Sequence, residues 1–314
     1  PVFGDDTDEP CHDTAGFAAS HCAQAWRWNL DKVVDRHGNM MVYTYDQETN
    51  SYGLNGKDAA VSYVRGGTLR RVEYGLRAGD ATVAATGLVE FATGDRCVPD
   101  SECVPEKKDN WPDVSWDDNC AAATCAGKHS PTFWSTKRLA KITTQVRRGT
   151  GFTDVDRWTL DQQYPDPGDG GRAALWLKGI THTGLVGGSV SLPAVTFEGT
   201  KMGNRVYQTD GYAPLIRYRV TGIVSESGGV ITVTYARPDC VAGGAMPAKP
   251  ETNTLRCFPQ NWSTKFHTPR TDYFHKYVVA EVKESDRISS STEQVTSYSY
   301  GGAAWHYNTA EFVK

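Results

Sequence analysis

Alternation of apolar and polar side chains at every second residue narrows the folds open to this chain more than any other feature. Trp158-Thr159-Leu160-Asp161-Gln162-Gln163-Tyr164 alternates apolar or aromatic residues with polar ones, and Ile231-Thr232-Val233-Thr234-Tyr235 alternates within a β-branched run. Because successive side chains of a strand point to opposite faces, both stretches predict half-buried strands. Residues 141–146, 175–178, 217–220, 277–283 and 294–300 are further strand candidates, rich in Val, Ile, Thr, Tyr or Trp and bounded by turn formers. The best helical candidates, residues 18–26 and 119–126, are shorter than a helix that is favourable without packing. The expected fold class is all-β, an extended antiparallel sheet of hairpins and meanders.

Turn chemistry supplies the connections. Ile223-Val224-Ser225-Glu226-Ser227-Gly228-Gly229-Val230-Ile231 sets two glycines, which tolerate positive φ, between two apolar arms, and it is the clearest hairpin in the chain. Residues 96–131 hold four cysteines and two tryptophans among Asp, Pro, Lys and Ala, and predict a disulfide-rich loop insertion between strands. The loop at residues 164–171 carries Asp166 and Asp169 but lacks the alternating ligand positions and closing Glu of a calcium loop, so it is read as a simple turn. One domain or two fit the length of 314 residues, and a single continuous β-rich segment over 1–314 is the preferred reading.

Eight cysteines fall as sequence neighbours: Cys11 with Cys22, Cys97 with Cys103, Cys120 with Cys125, and Cys240 with Cys257. Even numbers in close pairs flanked by turn formers are what local disulfides produce in an oxidising compartment, which predicts a secreted or cell-surface protein. The competing reading is zinc at Cys11-His12 and His21-Cys22, although that spacing matches no common finger. No metal and no cofactor is expected.

Charge and hydropathy exclude other classes. A net charge of −4, from 33 basic and 37 acidic residues, leaves no excess for phosphate backbones, and no basic stripe appears, so nucleic acid is not an expected partner. The basic pairs Arg70-Arg71 and Arg147-Arg148 sit in strand-like context, where neighbours point to opposite faces. No apolar run approaches the roughly 20 residues of a membrane span. The opening Pro1-Val2-Phe3-Gly4-Asp5 resembles no signal peptide, so the chain is expected to be mature or excised. The final residues 305–314 hold no closing turn cluster, and more protein is expected to follow.

Catalytic signatures are missing: no His-Glu-x-x-His, no Gly-x-Ser-x-Gly and no phosphate-binding Gly-rich loop with Lys. Asp113, Asp117 and Asp118 beside Trp111 and Trp116 are the one carboxylate and aromatic grouping of the kind glycoside hydrolases use; turn and packing roles are the alternative. His182 and His275 are the histidines most nearly embedded in strands, and each is expected to be a hydrogen-bonded structural residue. The chain is therefore expected not to be an enzyme.

One stretch has the character of a repeat unit. In Val33-Val34-Asp35-Arg36-His37-Gly38-Asn39-Met40-Met41-Val42-Tyr43-Thr44-Tyr45-Asp46, a strand enters a turn at His37-Gly38-Asn39, and the next strand puts Tyr43 and Tyr45 on one face before Asp46 ends it. Gly38, Asn39, Tyr43, Tyr45 and Asp46 closely resemble the YD repeat of Rhs proteins, teneurins and the B/C components of insecticidal Tc toxins. Weaker echoes, without the final Asp, lie at residues 67–75 and 295–301. Trp26-Arg27-Trp28-Asn29-Leu30-Asp31-Lys32-Val33-Val34-Asp35 and Ala174-Leu175-Trp176-Leu177-Lys178-Gly179-Ile180-Thr181-His182-Thr183-Gly184 resemble actinobacterial Rhs proteins of the polymorphic-toxin kind. Phe274-His275-Lys276-Tyr277-Val278-Val279 and Gly301-Gly302-Ala303-Ala304-Trp305-His306-Tyr307 extend that likeness.

The resemblance implies strands wound into a shell around a C-terminal effector, with this chain as wall and the rest of the same polypeptide as its partner. The self-cleaving aspartyl region has no counterpart here beyond the fragment Asp166-Pro167-Gly168, so the segment is placed upstream of it. The rival reading is an extracellular binding module whose tryptophans and tyrosines meet a cell-surface glycan or protein.

Overall fold

The computed structural model describes residues 7–207, 210–263, 268–289 and 291–301. Among them are fifteen β-strands, four isolated 3-10 turns and no α-helix. No helix is long and apolar enough to cross a membrane among these residues. The chain forms two compact units, Pro1–Leu160 with His182–Ser191, and Asp161–Thr181 with Leu192–Lys314.

In the first unit β1 (Lys32–Val34), β2 (Asn39–Gly53), β3 (Ala60–Arg77), β4 (Gly87–Asp95), β5 (Lys137–Arg148) and most of β6 (Gly151–Gln163) pair antiparallel in sequence order. The end of β7 (Trp176–Gly184) pairs with β8 (Val190–Ser191), Thr183 facing Ser191. β2 and β3 are the long arms, of 15 and 18 residues. Register shifts at Met40/Met41, Thr44/Tyr45 and Glu48/Thr49 interrupt their ladder, each bulge adding local twist.

In the second unit the start of β7 pairs with β9 (Val195–Gly203), and β10 (Ile216–Val224) and β11 (Gly229–Tyr235) follow as antiparallel neighbours. β12 (Cys257–Trp262) and β13 (Arg270–His275) form a separate hairpin, after which β14 (Val279–Asp286) and β15 (Gln294–Ser297) continue the first sheet beside β11. The expected all-β antiparallel meander is present, and the turn at Ser225–Gly228 closes the β10–β11 hairpin, with Gly228 at φ +90.

Both helical candidates are turns. Within residues 18–26, Ser20 closes a turn onto Gly16 and Phe17 behind the Cys11–Cys22 disulfide. Within residues 119–126, Cys120 and Cys125 are bridged to each other, and their backbone N–H groups donate outward to Asn50 and Asp58. Amides spent on a neighbouring hairpin are lost to a helix ladder.

Leu88 of β4 and Cys257 of β12 are the only buried apolar side chains within strands among the described residues. The two core clusters are built mainly from residues outside the strands. Cys97, Trp111 and Val114 form one in the first unit, packed by Cys103, Trp116 and Trp134; Val206, Cys240 and Cys257 form another in the second.

The first core belongs to the predicted insertion, which runs beyond residue 131 to Thr136, whose carbonyl accepts from the Arg96 amide at the loop's neck. The insertion is tied to the β2–β3 hairpin by backbone bonds from Gly53 to Lys128 and from Ala60 to Ala123. Buried Asn50 donates to the Asp118 carbonyl and accepts from the Cys120 amide. Glu48 accepts from Ser135 and Thr136 and pairs with Arg65, whose guanidinium also donates to the Thr49 and Trp134 carbonyls and lies 3.7 Å over the Trp134 ring. Burial pushes the Glu48 carboxyl up, but these donors and the Arg65 charge outweigh it and hold it below its usual range.

Candidate functional site

The YD-like hairpin is built by Asp35. Its carboxylate accepts from the amides of His37 and Asn39 and from the Asn39 side chain, and the Gly38 amide donates to its carbonyl. The Asn39 side chain, with help from its amide, holds the Asp35 carboxyl below the usual carboxylate range. Gly38 sits at φ +78, where a Cβ is disfavoured although nothing lies within 4 Å of one. Gly38→Ala is therefore expected to cost about 1–2 kcal/mol, all from the backbone. Thermal melting checks it, and an unchanged midpoint refutes it.

Tyr43 and Tyr45 lie two apart on β2, half-buried, with the Tyr45 hydroxyl donating to the Leu30 carbonyl. Asp46 does not end the strand. β2 continues to Gly53, because the Thr44/Tyr45 register shift leaves the extra residue, Arg70, on β3, and Arg70 lies 3.8 Å from Asp46. Asp35 is the residue that builds this turn, and Asp four residues before Asn across a Gly turn is a legible turn signal.

All four predicted cysteine pairs are disulfides, which fits an oxidising compartment and leaves no thiolates for zinc at Cys11 and Cys22. Asp113 makes a two-pronged ion pair with Arg96, and Asp117 pairs with Lys108 Nζ at 2.9 Å. Trp111 is buried and packs edge-on against Trp116, so the pair is loop core and not an exposed platform. Asp166 and Asp169 accept from the amides of their own turns, and Asp169 also accepts from the Ile216 amide. His182 bonds Asp156 at 2.9 Å and stacks on Trp158, ring centroids 4.7 Å apart. Residues 302–307 of the final resemblance stretch lie outside the described residues.

His275 differs. It ends β13, its backbone amide donates to the Asn204 carbonyl, and its ring Nδ1 is buried without a hydrogen-bond partner. Burial, followed by the nearby Arg219 charge, lowers the imidazole pKa. His275 helps line a cleft of about 480 Å³ in the second unit, together with Asn204, Arg217, Arg219, Lys276 and Tyr277. Arg217 and Arg219 are two apart on β10 and so share a face. Arg219 donates to Asn204 Oδ1 at 2.7 Å and lies 4.7 Å from the Tyr277 ring centroid, while its buried Nε has no partner. At the rim, Leu215 holds φ +53, a left-handed conformation rare for a branched residue, with its carbonyl accepting from the Asn204 amide.

Below the cleft a charge network fixes the β12–β13 hairpin. The Arg205 side chain has no exposed surface and donates to Asp272 Oδ2 at 2.8 Å, to the Tyr212 carbonyl at 3.1 Å and to both oxygens of Asp210. Arg270 pairs with the same two carboxylates, and Trp262 Nε1 donates to Asp272. The Arg205 hydrogen bond is the main cause of the lowered Asp210 pKa. At Asp272 burial raises the pKa, and the Arg205 and Trp262 hydrogen bonds with both arginine charges reverse it, leaving it lowered. This network was invisible in the sequence because its members lie as much as 67 residues apart.

The fold and these sites define a disulfide-bonded, all-β protein. No protein-family model matches the chain, and neither a curated protein nor a solved structure matches it.

Proposed function

We propose that the chain is a noncatalytic wall or scaffold segment of a large secreted protein of the Rhs/YD-repeat type, which encloses or displays an effector carried on the same polypeptide. The observation that carries this reading is the thinness of the sheets. Each unit is an antiparallel meander extended strand by strand, yet within strands only Leu88 and Cys257 are buried apolar side chains among the described residues. A sheet that satisfies its backbone along the ladder while both faces stay half-covered suits a wall that meets further layers or cargo better than it suits a closed enzyme domain. The Asp35–Asn39 turn and the Tyr43 and Tyr45 face support the repeat resemblance at the one place where its motif is complete.

The exposed aromatics favour the surface-binding alternative less. Trp28 is 83% exposed, but Trp26, Phe133, Tyr63 and Tyr52 meet at interplanar angles of 39°, 81° and 86°, not as the coplanar row a glycan platform requires. Electron imaging of the intact polypeptide that carries this chain is the test. A hollow particle with these strands in its wall is expected, and a solid or extended particle with the strands projecting outward would overturn the proposal.

A further inference from the structure

We infer that the cleft between β10 and β13 is a binding site for a ring-bearing carboxylate, of the acidic-sugar class. The inference is independent of the wall reading, since a wall segment and a free-standing module could equally carry such a site.

The cleft is cationic by construction. Arg217, Arg219 and Lys276 all line it, and among the described residues no Asp or Glu does and none of the three makes an ion pair with a carboxylate. The nearest buried arginine, Arg205, is neutralised by Asp210 and Asp272, so those carboxylates are already committed and do not screen the cleft. Guanidinium groups match carboxylates geometrically, through paired N–H donors.

Its walls are aromatic. Phe258 and Phe274 stand with ring centroids 6.1 Å apart at 29°, and Tyr277 is held by its hydroxyl bond to the Gly203 carbonyl and by Arg219 over its face. Flat apolar walls beside a few polar groups are the usual make-up of a small-ligand site, and about 480 Å³ falls within the ordinary range of roughly 300–1,000 Å³. A ring with one charged arm uses both features, whereas a bare anion uses only one.

Two further observations bear on this cleft. Arg219 Nε and His275 Nδ1 are both buried without partners in its lining, and such atoms in a native fold call for a ligand or bridging water. Leu215, at the rim, keeps a strained left-handed backbone that the Asn204 amide holds in place.

The test is an NMR titration of the full oxidised chain with sodium glucuronate, glucose, sodium acetate and sodium sulfate. Saturable shifts confined to the β10 and β13 residues of the cleft are expected with glucuronate. Glucose, with the ring but no charge, and acetate, with the charge but no ring, are each expected to bind at least tenfold more weakly. The double variant Arg217→Ala/Lys276→Ala is expected to weaken glucuronate binding about tenfold or more at an unchanged melting temperature, since among the described residues Arg217 donates only to the adjacent Ile216 carbonyl and Lys276 is exposed. Lys276→Ala alone serves as the second variant, with a smaller loss in the same direction. Equal binding of acetate or sulfate, absence of saturation with glucuronate, or unchanged affinity in both variants would overturn the inference.

Discussion

Asp272→Ala is expected to destabilise the second unit by about 3–5 kcal/mol. Asp272 is 5% exposed at its side chain and Arg205 not at all, so removing the carboxylate strands a guanidinium in the interior with one of its two acidic partners gone. Breaking a buried pair from one side costs more than the pair contributes, because the remaining charge keeps its desolvation penalty. The Trp262 indole N–H, which donates to the same oxygen, also loses its acceptor. Urea unfolding of the full chain measures the loss, and hydrogen exchange should localise it to β12, β13 and the segment around residues 204–206 that pairs with β13. A loss below about 1 kcal/mol would mean that the network is not closed as described. The same carboxylates set a pH dependence. Asp210 and Asp272 both titrate below their usual range in the folded chain. Their stabilisation is therefore fully present above the unfolded carboxylate pKa of about 4 and is lost as pH falls through the folded values. The second unit should unfold on acidification below about pH 4, and Asp272→Ala should flatten that acid limb.

What was legible in the sequence was local. The β10–β11 hairpin, the strand at Trp158, the cysteine pairing and the turn at Gly38 each rest on residues within a few positions of one another, and each is in the structure. Where a residue's role depends on a distant partner, its local sequence does not show that role. Asp46 looked like a strand terminator because Asp is a turn former, but the ladder to β3 runs past it and absorbs the mismatch in a bulge at Arg70. The strand expected over 277–283 begins only at Val279, and Tyr277 is turned instead toward Arg219 and Gly203. Residues 119–126 carry helix-friendly alanines, yet the Cys120 and Cys125 amides are claimed by a hairpin some 70 residues away in sequence. His275, expected to be a hydrogen-bonded structural residue, is bonded through its backbone amide, while its ring Nδ1 is buried without a partner. Arg217, Arg219 and Lys276 gave no patch in one dimension, because the cleft is assembled from β10 and the end of β13, more than 50 residues apart.

Replacing Cys240 and Cys257 together by Ala is expected to cost about 3 kcal/mol from the unfolded state alone, and more from packing. Their separation of 17 residues is the longest of the four disulfide loops, against 6 for Cys97–Cys103 and 5 for Cys120–Cys125, whose removal should cost about 2 kcal/mol on the same chain-entropy argument. Packing widens the gap. Cys240 and Cys257 are almost wholly buried and form the core of their cluster with Val206, so losing both sulfurs leaves a void where the unit has little other core. Arg256 still ties the loop's neck, pairing with Asp239 and donating to the Arg237 carbonyl, so the loop should loosen without detaching. Because Cys257 opens β12 and Phe258, next along, walls the cleft, this cystine and not the shorter ones should govern glucuronate affinity. Urea midpoints of the three double variants, measured beside their glucuronate titrations, decide the matter. A Cys240/Cys257 variant no less stable than the Cys97/Cys103 variant would mean that the second unit draws its cohesion from the Arg205 network and its sheet alone.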